Sequence, residues 1–107
     1  TLERGWYHVV NRDGGAPGHG LHELSILGLR EDLTDSGRDR LLRDLATNTT
    51  PSVPLDAVGG MGALSSGLEA YLFLDLAPGP YLAVDFMPDP GDPKPHLLDG
   101  YVTPFRA

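Results

Sequence analysis

The sequence predicts an all-β domain of sandwich or barrel type with one short helical insertion. Glycine (14) and proline (10) together approach a quarter of the 107 residues and stand between apolar runs rather than in repeats, which is the distribution of turns linking short strands. Leu68 to Leu76 alternates strictly, with Leu68, Ala70, Leu72, Leu74 and Leu76 on one face and Glu69, Tyr71, Phe73 and Asp75 on the other, the period of a half-buried strand.

From the N-terminus, the first strand is expected over Gly5 to Asn11, stopped by the turn-forming run that continues to Gly18. The second is expected over Leu21 to Leu29, where a period of two would put His22, Leu24 and Ile26 on the core face and Glu23 and Ser25 on the other. Thr34, Asp35 and Ser36 offer N-caps, and Leu41, Leu42 and Leu45 follow at helical spacing among charged residues, so a helix is expected at about 35–46. Thr47 to Gly67 holds Pro51, Pro54, Gly59, Gly60, Gly62 and Gly67, and so many breakers predict a surface connection without a regular element. After the alternating strand, Pro78-Gly79-Pro80 turns the chain into a strand over Tyr81 to Met87. A last strand, Tyr101 to Arg106, follows the Pro- and Asp-rich stretch from Pro88 to Gly100.

The length predicts one domain spanning 1–107. Fifteen acidic against eight basic residues give a formal charge of −7, which repels phosphate backbones and argues against a nucleic-acid partner. No apolar run approaches the roughly 20 residues of a membrane-spanning helix, so no membrane insertion is expected. With zero cysteines the chain offers no disulfide, no thiolate ligand and no Cys nucleophile. The opening Thr1-Leu2-Glu3-Arg4 has neither the basic start nor the apolar stretch of a signal peptide.

An Asn-Gly-type turn, then His22-Glu23-Leu24, a Gly-Gly-rich link, Leu76-Ala77-Pro78-Gly79-Pro80-Tyr81 before a strand, Pro95-His96 and Gly100-Tyr101 follow one another in an order that resembles the cupredoxin-like proteins of bacteria. The likeness covers about residues 5 to 106, and its most specific part is the Pro-Gly-x-Tyr approach to a strand followed by the Asp-Pro-rich loop and Pro-His. The resemblance implies a Greek-key sandwich and an extracytoplasmic (periplasmic or secreted) setting. It also implies a copper site built from an early His, a Cys at the end of a late strand, a His after the next loop and a Met shortly beyond. His22 and His96 match that pattern, whereas Asp85 stands at the Cys position and Tyr101 at the Met position. A carboxylate cannot supply the soft thiolate bond of a blue-copper centre, so no type 1 copper is expected.

Two readings of these positions follow. In the favoured one the site is degenerate, Asp85 is solvated or hydrogen-bonded near the rim, Tyr101 packs its ring, and the domain binds a partner or serves a structural role. In the alternative, His22, Asp85 and His96, with Tyr101 as a further candidate, hold a single Cu, Zn or Fe ion, and the expectation leans away from an enzyme. His19 lies three positions from His22 in a Gly-rich stretch and reads as solvated. His8 reads as a strand residue, and Asp89, Asp92 and Asp99 as a charged loop rather than a Ca²⁺ site. Trp6, Tyr7, Met61, Phe86 and Met87 are the candidate apolar contacts for a protein partner, with Trp6 and Phe86 expected in the core. The first strand begins early for a complete sandwich. An N-terminal strand is therefore expected to be missing or donated by a neighbour, leaving an open sheet edge as a route to a homodimer.

Overall fold

The computed structural model describes residues 1–14 and 20–107. The end of the first expected turn and His19 lie outside them. Six strands form two antiparallel sheets: β1 (Gly5–Val10) pairs with β4 (Glu69–Leu74), while β3 (Leu55–Leu64), β2 (His22–Leu29), β5 (Pro80–Val84) and β6 (Val102–Arg106) form a second sheet in the order β3-β2-β5-β6. One helix, α1 (Asp35–Ala46), and a short 3₁₀ turn, His96–Asp99, complete the regular structure of the described residues. This mostly-β arrangement is compatible with a sandwich.

The four-stranded sheet is apolar on both faces. Leu27, Leu82 and Val84 point to one side and pack with Leu41 and Leu42 of α1 and with Leu97. Ile26 and Tyr81, their sequence neighbours, point to the other and pack with Leu74 of β4, with Tyr7, Leu24, Leu72 and Phe105 around them. This is the alternation a strand imposes, used twice. The helix, with Leu97, thus covers the core of this face. It begins where expected, because the Thr34 hydroxyl accepts from the Gly37 N–H at 3.1 Å and Asp35 lies in the first turn.

Two expectations are corrected. Residues 55–64 are strand β3, not a connection. As an edge strand, β3 needs a partner on one side only, and its register against β2 slips twice, between His22 and Leu24 and between Ile26 and Leu27. Gly60 is what such a strand requires. It sits at φ +141°, and a Cβ there would lie 2.2 Å from the Leu24 carbonyl oxygen. The same slip beside His22 breaks the simple alternation expected for β2. The second correction is Trp6, which is 72% exposed rather than in the core. In β1 the inward residue is Tyr7, so Trp6 and His8 face outward opposite Phe73 and Tyr71. The Trp6–Phe73 and His8–Tyr71 ring centroids are 5.4 and 4.8 Å apart. Phe86, in contrast, packs against the helix-side core. Smaller differences lie at the ends, where β5 stops at Val84 and β6 begins at Val102.

Asn11 joins the two sheets at one end. Its backbone N–H donates to Leu68 O and its carbonyl accepts from Gly67 N, which closes the β1–β4 ladder. Its side-chain Nδ2 donates to Gly20 O at 2.6 Å and to Leu64 O at 2.8 Å, tying the end of β1 to the segment before β2 and the end of β3. Its Oδ1 accepts from the Asp13 N–H at 2.9 Å and so fixes the start of the next loop. The residue is buried, and these bonds are what make a buried amide tolerable.

Candidate metal centre

The same end of the molecule gathers His22, Asp85 and His96. His22 opens β2, Asp85 is the first residue past β5, and His96 opens the 3₁₀ turn. The backbone holds the last two in place. Asp85 N–H donates to Tyr101 O, His96 N–H to Met87 O, and a bridge between Pro88 and Pro95 pinches the base of the loop. Gly100, at φ +93°, ends the 3₁₀ turn in the left-handed region and turns the chain to Tyr101.

Asp85 divides its two oxygens between backbone and imidazoles. Oδ1 accepts from Met87 N at 2.8 Å and Glu23 N at 3.3 Å. Oδ2 meets Nδ1 of His22 at 2.5 Å and Nδ1 of His96 at 2.9 Å. Each imidazole then turns its other nitrogen to a second carboxylate: His22 Nε2 lies 2.7 Å from Asp13 Oδ2, and His96 Nε2 lies 2.9 Å from Asp89 Oδ1. The result is an alternating row, Asp13–His22–Asp85–His96–Asp89. Its middle is buried, with side-chain exposures of 17, 7 and 5% for His22, Asp85 and His96, while Asp13 and Asp89 reach solvent.

Burial alone would push both imidazoles toward the neutral form, but their carboxylate partners outweigh it. The bonds to Asp13 and Asp85 leave His22 above its ordinary 6.5, and those to Asp89 and Asp85 do the same for His96. For Asp85, burial favours the protonated acid. The bonds from His22, Met87 N–H, His96 and Glu23 N–H overcome that and hold its carboxyl below 3.8. Without a metal, these contacts favour the protonated form of both rings and the ionised form of Asp85.

Three donor atoms of His22, Asp85 and His96 lie within 4.8 Å of one another, a set suited to a metal ion. The outer contacts suit one equally well. Imidazoles that bind through one nitrogen donate the other N–H to a carboxylate or carbonyl, which fixes ring and tautomer. Asp13 and Asp89 stand where such partners belong.

Tyr101 meets the cluster through its ring, stacked on His22 with centroids 4.7 Å apart and tilted against His96 at 5.3 Å. Of the two expectations for Asp85, solvated or hydrogen-bonded near the rim, the structure shows the hydrogen-bonded one, with the residue buried. His8 pairs with Glu69 on the outer face of the small sheet, away from the cluster. Of the loop acids, Asp99 pairs with Lys94 and Asp92 accepts from the Lys94 N–H, so only Asp89 joins the site. Asp13 was not among the sequence candidates, and Asp89 was read as part of a charged loop. The usable signal was chemical: two candidate His ligands call for two outer acceptors, and each has an Asp in the loop beside it.

Comparison with protein-family models, with curated proteins and with solved structures finds no match.

Proposed function

We propose that this domain binds one divalent metal ion through Nδ1 of His22, Nδ1 of His96 and the Asp85 carboxylate, at the position of the copper site in a cupredoxin-like sandwich. One observation carries the reading: both Nδ1 atoms converge on a single carboxylate oxygen while both Nε2 atoms are already held by separate carboxylates. Two imidazoles and a carboxylate suit Zn²⁺ or Cu²⁺. With no sulfur ligand available, bound copper would lack the thiolate on which blue-copper electron transfer depends.

A second reading has its own support. A tetrahedral ion with bonds of about 2.0–2.1 Å spreads its ligand atoms to about 3.3 Å apart. The imidazole–carboxylate contacts of 2.5 and 2.9 Å are tighter, as hydrogen bonds are. In that reading the row is an ion-pair lock that replaced a metal, and the domain serves a structural or binding role.

Calorimetric titration of the full chain with Zn²⁺ and Cu²⁺, alongside thermal melting, separates the two. Metal binding predicts one ion per chain and a rise in melting temperature, both lost in His96→Ala and Asp85→Ala. An ion-pair lock predicts no uptake and no shift. The cupredoxin likeness has a separate test in Asp85→Cys, which should give the intense visible absorption of a copper–thiolate bond when Cu²⁺ is added; a colourless product would count against it.

A further inference from the structure

We propose that the metal held by His22, Asp85 and His96 keeps a coordination position open to solvent and accepts there a small carboxylate, whose second oxygen is held by Arg12. The inference rests on the metal-binding reading and adds to it a ligand class and a recognition residue.

Three protein donors leave a four-coordinate ion one position short, the pattern of sites that bind water or an exogenous ligand rather than of closed structural sites. Asp85 and His96 are covered by protein, whereas His22 lines an open cleft of about 410 Å³ together with Val10, Asn11, Arg12, Asp13 and Tyr101. Approach to the ion is from this side. A second cleft borders the site through Met87 and Asp89, but its other lining residues are Leu21, prolines, Gly91 and Asp92, so it offers no cation to hold an anion.

Two polar groups in the His22 cleft, the Arg12 guanidinium and the Tyr101 hydroxyl, have no polar side-chain partner among the described residues. Arg12 is exposed and makes no ion pair with any described residue. Tyr101 lies over both imidazoles, and its hydroxyl makes no hydrogen bond to a described residue. A guanidinium presents a planar fork that matches a carboxylate, and a phenol can donate to the same group.

The test uses the full chain loaded with Co²⁺ or Cu²⁺ and acetate as the probe, read by the visible spectrum of the cobalt form and the electron paramagnetic resonance of the copper form. Acetate should shift both spectra saturably. Arg12→Ala should weaken that binding by about tenfold to a hundredfold, the scale of a charge-assisted hydrogen bond. Arg40→Ala, at an exposed helix position that does not line the cleft, should leave it unchanged. A loaded protein whose spectra ignore acetate, or an Arg12→Ala protein that binds it as tightly, overturns this inference and leaves metal binding standing. Failure to take up metal appears in the loading step and overturns both.

Discussion

The two faces of the four-stranded sheet are covered in different ways. On the helix side six buried residues, all apolar, pack into one cluster around Leu41, which has no exposed surface. On the other side, among the described residues, only Ile26, Leu74 and Tyr81 are buried, and the cover is a two-stranded sheet whose outer face displays Trp6, Tyr71 and Phe73 to solvent. A two-stranded ribbon has little stability of its own. Its attachment rests on one apolar stripe, on a backbone hydrogen bond from Leu2 N to Arg106 O, and on Asn11, the residue that also sets Asp13 beside His22. Stability is thus concentrated in the helix-backed face. The candidate site is built where the weaker cover is pinned.

Removing the helix-side anchor should cost most: Leu41→Ala is expected to lower the unfolding free energy by about 3–4 kcal/mol, read from urea midpoints. An equal loss on shaving Leu72, half-buried under the small sheet, would erase the contrast between the faces. Asn11→Ala comes next, at about 2 kcal/mol, because it leaves the Gly20 and Leu64 carbonyls short of a donor. It should also weaken metal binding through Asp13, an effect that a purely structural pin would not produce once the variant is shown to be folded.

The metal-free protein should show a pH-graded effect centred on the site. The raised His22 and His96 contribute stability that is fully present below 6.5 and is lost as pH rises through their folded values. The lowered Asp85 contributes stability present above 3.8 and lost as pH falls through its folded value. Maximum stability therefore falls between these limits, and His96→Ala should flatten the alkaline side of the profile. Metal affinity runs the other way and rises with pH, since the ion must displace ring protons. Last and smallest, Trp6→Ala should change stability by no more than about 0.5 kcal/mol, as an exposed side chain on the outer ribbon. A markedly larger loss would mean that Trp6 is covered in solution.

Much of this layout could be read from residue order. The alternation from Leu68 to Leu76 announces β4 and its inward Ala70, Leu72 and Leu74, though the strand is shorter at both ends and Leu68 is exposed, and the Thr34 cap with Leu41 and Leu42 announces the helix, because both signals are local. β3 could not be read the same way. Its glycines look like breakers, yet Gly60 serves a strand whose neighbour's carbonyl leaves no room for a side chain, a fact of pairing rather than of local preference. Trp6 misleads for a related reason: size and apolarity favour the core, but the strand's period, once Tyr7 points inward, sends Trp6 outward. At the site, the structure brings together His22, Asp85 and His96, which the order of residues had named along with Tyr101. Asp13 and Asp89 lie in loops whose acids all look alike until the imidazoles choose among them.

The alternating row of acids and bases has a consequence for how the two forms of the protein would be told apart. Where both rings carry two protons, a divalent ion that displaces one proton from each changes the molecule's net charge by nothing. Metal-bound and metal-free chains would then focus at one position and elute together from an ion exchanger. The exchange would register as acid released into a weakly buffered solution, two protons for each ion taken up.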